Sequence, residues 1–352
     1  MKKSGFGILV LLSIMMFALT GCQKGAGEAS FVSLGMDAVI RMDYEDAFTQ
    51  FDQALLAGED EELVYRGIGL AYMGQQDYAK AVSAFRTALS YADMFPGELE
   101  YDINYYLAIA YYKLEMYDEA IAVYDGITAL LPREQEAYFL RGTMKLYLDD
   151  VEGAVADFDM ATSLDRNNYG LYLDAYESMQ QHGYEEQAQN YLDVVLVADS
   201  RDISDYDKGR LCYFEGEYAQ ACNYLERARS DGEADAEMIA LLGECYKLEG
   251  QYEYAAVVYG GYVETTPDPE IYNKMGLCYV EQGDYISALA AFQAGSAIEE
   301  NNTCLQVLLL NEIACYEYLY DFETAAVKLE EYLAIYPSTP ELEKEYAFLT
   351  TR

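Results

Sequence analysis

The chain has 352 residues with Lys+Arg 22 against Asp+Glu 62, and a formal net charge of −40 repels phosphate backbones, which argues against a nucleic-acid partner. Hydrophobic residues make up 52% and aromatics 14%, enough apolar material for a core, so the charge does not mean a disordered polyanion. With six prolines and no long Ser/Gly-rich linker, one long array is expected rather than two globules.

Lys2 and Lys3 precede a short apolar run over 6–18, broken by Gly7 and Ser13 and ended by Leu19-Thr20-Gly21-Cys22. The run is too short to span a bilayer comfortably and reads as a cleaved secretory leader over residues 1–21. Its end resembles the lipobox of bacterial lipoprotein signal peptides, in which the leader is cut before the cysteine and the cysteine is acylated. That resemblance makes Cys22 the lipid (palmitate) attachment residue and 22–27 a short tether. It also places the protein at the cell membrane, lipid-anchored on the extracytoplasmic side of a bacterial envelope. Each acyl chain adds roughly 0.8 kcal/mol per buried CH2, so two or more chains anchor stably.

Beyond the tether a single pattern repeats, most clearly over residues 271–298. A helix marked by Tyr272, Met275, Gly276 and Tyr279 is followed by a turn at Gly283, then by a helix marked by Tyr285, Ala288, Phe292 and Gly295. The turn aromatic or its equivalent recurs at Tyr44, Tyr78, Tyr117, Val151, Tyr184, Tyr218, Tyr252, Tyr285 and Phe322, spaced 34, 39, 34, 33, 34, 34, 33 and 37. An alanine follows each marker three or four places on, from Ala47 to Ala325, and lets two helices approach closely. A small first-helix residue stands at Gly35, Gly69, Ala108, Gly142, Gly209, Gly243 and Gly276, with Tyr176 and Ile313 as departures. A bulky second-helix residue (Phe51, Phe85, Tyr124, Phe158, Leu192, Leu225, Tyr259, Phe292, Leu329) is expected to fill the gap those small residues leave.

A helix-turn-helix period near 34 resembles the tetratricopeptide repeat family, over about 28–339. The resemblance implies an all-α fold, an α-solenoid of about nine repeats forming a right-handed superhelix. The repeats run over about 28–61, 62–95, 101–134, 135–168, 169–201, 202–235, 236–268, 269–302 and 306–339, with a C-terminal capping helix in 340–352. Pro132, Pro267 and Pro337 stand where the family closes a repeat, while its opening tryptophan is replaced by other aromatics. Five extra residues over 96–100 and three before the ninth repeat are expected to be loop insertions.

No catalytic constellation, cofactor motif or metal pattern stands out. The lone histidine, His182, sits beside Gly183 in a turn and reads as an exposed turn residue. No G-x-x-x-x-G-K-[ST] or G-x-S-x-G occurs, and the aspartates over 199–209 do not match a calcium loop. Cys245, Cys278 and Cys315 fall at a packing position of the repeat. Cys212 and Cys222 lie on the two helices of one repeat and are candidates for a disulfide if their backbones approach within about 7 Å.

At 100° per residue, first-helix positions two, five, nine, twelve and thirteen point away from the second helix. In tetratricopeptide proteins that side lines the concave groove and binds peptides, and the resemblance makes it the candidate binding face. Here it carries Arg66, Tyr105, Tyr112, Lys113, Phe139, Tyr147, Tyr206, Arg210, Tyr213 and Phe214. Tyrosine and arginine are common at binding hot spots, although packing between first helices uses the same residues. The family's lysine and asparagine clamp for a peptide carboxylate is not matched. Two functions compete: a non-catalytic protein or peptide scaffold tethered by lipid, and an envelope lipoprotein binding a glycan or small molecule for uptake or wall assembly.

Overall fold

A computed structural model describes residues 29–92, 96–298, 302 and 304–351. The leader, Cys22 and the tether lie outside the described residues. Among the described residues all regular structure is helical, and the chain divides into two compact units at Asp202/Ile203. That division falls at neither of the two places where the repeat spacing lengthens.

The first unit holds α1 (Phe31–Ile40), α2 (Tyr44–Ala57), α3 (Glu61–Gly74), α4 (Tyr78–Tyr91) and α5 (Glu98–Lys113). It continues with α6 (Tyr117–Leu130), α7 (Gln135–Tyr147), α8 (Val151–Leu164), α9 (Tyr169–Gln181) and α10 (Glu185–Leu196). In the second unit are α11 (Asp205–Phe214), α12 (Tyr218–Asp231), α13 (Ala236–Leu248), α14 (Tyr252–Val263) and α15 (Pro269–Glu281). It ends with α16 (Tyr285–Ser296), α17 (Leu305–Tyr318), α18 (Phe322–Ile335) and α19 (Pro340–Leu349). Odd and even helices pair in antiparallel hairpins, and each unit is an all-α solenoid of them.

Local chemistry explains the turns. Eight of the nine turn markers are the first residue of a second helix, and Tyr184 is the N-cap of α10. The residue before the marker is often an aspartate whose carboxylate accepts an orphan N–H of the first turn, as Asp43, Asp77, Asp150, Asp284 and Asp321 do. One residue in each turn adopts a left-handed conformation: Gly183, Gly216, Gly250 and Gly283 do so freely. Met42, Gln76, Glu115, Asp149 and Tyr320 take the same φ with a side chain. The next N–H then reaches back to a first-helix carbonyl, for example Asp43 to Ala38, Asp150 to Lys145 and Asp284 to Tyr279.

The core is a repeated fit of one ring against one glycine. A Cβ on Gly276 would lie 2.4 Å from the Phe292 ring, on Gly69 2.4 Å from Phe85, and on Gly243 2.1 Å from Tyr259. Gly35 lies under Phe51, Gly142 under Phe158 and Gly209 under Leu225 in the same way. The nine alanines after the markers have no exposure, so each hairpin closes on a methyl group at one level and a buried large side chain at another. Where the fifth hairpin departs, Tyr176 is buried and its hydroxyl accepts from Gln180 Nε2 at 3.1 Å.

One expectation needs correction. Residues 98–100 are not loop but the first turn of α5, which is therefore longer than its counterparts. Glu100 is buried and its carboxylate accepts the Gly97 N–H at 2.7 Å, which caps the added turn. Polar pairs cross the hairpins where side chains are largely buried. Arg141 Nη2 and Nε reach Asp157 at 2.5 and 2.8 Å, and Lys145 Nζ reaches it at 2.7 Å.

At the C-terminal end α19 lays Leu342, Tyr346 and Leu349 on the apolar cluster of α17 and α18. Glu345 of α19 also shares a hydrogen bond with Glu317 of α17, and burial together with that neighbour raises the Glu317 carboxyl to about 7. A raised carboxyl pKa means this contact stabilises the fold below the ordinary carboxyl range and loses that contribution as pH climbs through about 7. Amide exchange in α19 is accordingly expected to be better protected at pH 5 than at pH 8 after correction for intrinsic exchange. Glu317→Gln should flatten the difference, and an unchanged difference in that variant would remove Glu317 as its cause.

Candidate functional site

Within each unit the first helices of neighbouring hairpins touch, as α1–α3, α3–α5 and α7–α9 do in the first and α11–α13, α13–α15 and α15–α17 in the second. Successive second helices also meet in places, as where Tyr191 of α10 donates to Val155 O and Asp159 Oδ1 of α8 at 3.3 and 3.1 Å, but the backbones of the first helices approach more closely. The candidate binding residues all lie on these first helices.

In the first unit Arg66 is committed to structure. Its Nε sits 2.5 Å from Asp102 and its guanidinium lies 5.8 Å from the Tyr106 ring, tying α3 to α5. Tyr105 meets the buried Tyr124 edge-on at 6.1 Å, and its hydroxyl is buried near the Glu134 carboxylate. Burial first, then the charges of Glu134 and Glu136, push the Tyr105 phenol well above its ordinary range. Phe139 is only 9% exposed and packs 5.2 Å from Phe158, so it belongs to the core rather than to a surface that a partner touches.

Three of the expected residues do come together, but at the edge formed by the hairpin turns. Tyr112, Lys113 and Tyr147 are the last residues of α5 and α7, and the Tyr112 and Tyr147 hydroxyls hydrogen-bond at 3.0 Å. Burial and that bond raise the Tyr112 phenol. Lys113 lies 5.7 Å from the Tyr112 ring, makes no ion pair among the described residues, and remains half-buried.

Two residues complete this cluster that the sequence did not assign to it. Tyr117 stacks on Tyr147 at 4.7 Å with 11° between the planes, and His182 meets Tyr147 edge-on at 4.6 Å. His182 is therefore not a simple exposed turn residue. It is half-buried, and because a carbonyl only accepts, its Nδ1 donates to Ser178 O at 2.7 Å, which leaves Nε2 as the acceptor in the neutral ring. The signal that would have found Tyr117 is its phase: the marker of one hairpin stacks on the end of the next hairpin's first helix. Tyr285 on Tyr318 at 4.5 Å repeats this contact, and Tyr44 over Gly74 is its smaller version.

The second unit places Tyr206, Arg210, Tyr213 and Phe214 on α11. Arg210 is buried, lies 5.8 Å from the Tyr206 ring and 3.9 Å from Asp207. Tyr213 meets Phe214 at 5.7 Å and Tyr218 at 5.9 Å. Buried as it is, Arg210 supports the helix surface and does not present its guanidinium to a partner. Among the described residues no group of three histidine, cysteine or acidic side chains is placed to hold a metal ion.

The candidate bridge between Cys212 and Cys222 is not formed. All six described cysteines are free, and the thiol neighbouring Cys222 is Cys245 of the next hairpin, not Cys212.

Comparison with known proteins agrees with this architecture. Tetratricopeptide repeat models match residues 33–98, 66–134 and 105–169, and a further one matches 269–302. The repeat-containing protein YpiA of Bacillus subtilis is 22% identical over 205 residues, 56% of this chain and 48% of YpiA. A BBSome complex member, BBS4 of Xenopus tropicalis, is 25% identical over 122 residues, 35% of this chain and 23% of BBS4. The chain thus spans about a quarter to a half of the curated relatives it matches. Among solved structures, a human IFIT1 dimer with m7Gppp-AAAA aligns at a TM-score of 0.50 and 15% identity, covering 91% of this chain and 80% of that one, a likeness of fold alone. Hairpins built on a ring-over-glycine fit, together with the family matches, show tetratricopeptide repeats over residues 33–169 and 269–302 of the chain.

Proposed function

We propose that the chain is a non-catalytic scaffold that holds a protein or peptide on its first-helix layer while anchored to the outer side of a bacterial membrane by lipid on Cys22. The observation that carries the binding half is the cluster of Tyr112, Tyr147 and His182 with Lys113 beside it, an amphipathic aromatic edge with an unpaired cation in a strongly acidic chain. Tetratricopeptide repeats are interaction modules, which supports a protein-binding role. The net charge of −40 opposes an RNA ligand of the kind seen with IFIT1. The anchor rests on the Leu19-Thr20-Gly21-Cys22 sequence.

Partner recovery tests the binding half. A chain carrying Tyr112→Ala, Lys113→Ala and Tyr147→Ala is expected to lose, by tenfold or more, partners that the parent chain retains from solubilised membranes. Tyr320→Ala, at an 81% exposed turn residue, serves as the control and should lose none. Equal recovery by the triple variant and the parent would overturn the assigned surface. For the anchor, Cys22→Ala should move the protein from the detergent-dependent membrane fraction to the soluble one, and unchanged retention would refute lipidation at Cys22.

A further inference from the structure

The six described cysteines are not equivalent. Cys278 and Cys315 are buried among apolar side chains, Cys278 in the cluster that also holds Cys222 and Cys245, and Cys315 in one that Cys304 packs against. Within the first cluster Cys222 on α12 and Cys245 on α13 are the two thiols that face each other, with Cys212 at the margin. Two contacts fix how α12 and α13 face each other. Cys222 and Cys245 sit side by side in the cluster, and Tyr246, the residue after Cys245, donates from its Oη to Glu226 Oε1, one turn beyond Cys222, at 3.0 Å. The residue after Cys245 is thus tied to the turn that follows Cys222, which holds the two thiol-bearing helix faces toward each other.

We propose that Cys222 and Cys245 form a disulfide site, closed by exchange with a low-molecular-weight disulfide, that staples α12 of one hairpin to α13 of the next. The exchange balances in two steps. The Cys222 thiolate, its proton lost to solvent, attacks one sulfur of the small disulfide, forming a mixed disulfide and releasing one thiolate. Cys245 then gives up its proton and attacks the Cys222 sulfur, which forms the intramolecular bond and releases the second thiolate. Two protein thiols are oxidised and one small disulfide is reduced to two thiols. Cys222 takes the first step because it is 7% exposed, whereas Cys245 has no exposure at all. Hydrogen bonding from Cys245 also favours the Cys222 thiolate and holds its pKa below the ordinary value, while that of Cys245 is raised.

A bridge between successive hairpins differs from one within a hairpin. The Gly243–Tyr259 fit already closes the hairpin of α13 and α14, whereas the α12–α13 contact joins neighbours along the array. Repeat arrays come apart at such junctions, so a covalent link there makes two hairpins unfold as one.

The test uses the full-length protein in detergent, reduced, desalted and incubated with oxidised glutathione. The expected product has lost two thiols and carries no glutathione. Cleavage after glutamates separates Cys212, Cys222 and Cys245 onto different peptides, because Glu215, Glu217, Glu226 and Glu244 lie between them. Mass spectrometry should then show one linked pair containing Cys222 and Cys245, and reduction should separate it. Bridging should raise the melting temperature of the second unit by about 5 to 10 °C, reversed by dithiothreitol. Cys212→Ser should bridge as the parent does, and Cys245→Ala should stop at a mixed disulfide on Cys222. A linked pair containing Cys212 would overturn the proposal, as would glutathione retained on Cys222 of the parent chain or a bridge that forms only in urea.

Discussion

Phe292→Ala is expected to destabilise the second unit by about 3–5 kcal/mol, read as a lower urea midpoint, because the ring has no exposure and no neighbour can follow into the space it vacates. Gly276→Ala should cost about 1–3 kcal/mol for the opposite reason, since its methyl would sit 2.4 Å from Phe292 Cε1. The two losses are not independent. In the double variant the new methyl stands where the ring was, so the combined loss should fall short of the sum by at least about 1 kcal/mol. Strict additivity would mean that ring and glycine are not a fitted pair, and the account of the core given above would fail.

Asp157→Ala should have a comparable effect on the first unit. Asp157 is 4% exposed and receives Arg141 at 2.5 Å and Lys145 at 2.7 Å. Removing it leaves two largely buried cations on α7, with only Asp125, 2.7 Å from Arg141, to offset them. Breaking a buried ion pair from one side costs about 3–5 kcal/mol, far more than an exposed pair is worth. Replacing Arg141, Lys145 and Asp157 together by leucine should recover most of that loss, because no desolvated charge then remains. A loss below about 1 kcal/mol in Asp157→Ala would show that the network behaves as a surface pair.

Much of this architecture was readable from residue spacing. The glycine and the ring that fills it lie sixteen residues apart in Gly276 and Phe292 as in Gly69 and Phe85, and a fixed offset between complementary sizes is a pattern that sequence alone displays. The helical start at Glu98 was missed because its signal is a single cap, Gly97 to Glu100, with no periodicity behind it. The division at Asp202/Ile203 has no composition break to mark it.

The candidate face was legible only in part. Helical phase placed Phe139 and Arg210 on the side away from the second helix, yet both are buried, because phase describes one helix and burial depends on its neighbours. For the same reason the contact of His182 with Tyr147 and the pairing of Cys222 with Cys245 were hidden, since both join residues of different hairpins. Tyr112 and Tyr147 were found because they hold the last two outward positions of the repeat, at the ends of their own helices.

The nine hairpin turns also decide where this chain can lengthen. Each places one left-handed residue between fixed donors and acceptors, so an added residue would shift the returning N–H off its carbonyl and rotate the marker away from the helix it rests on. Between hairpins a left-handed residue recurs only at Gly58 and Gly232 among the described residues, and both long spacings fall in other connections, after α4 and after α16. Length varies in this array from one hairpin to the next and not inside a hairpin, and the tight turns are where a single codon's insertion would be least tolerated.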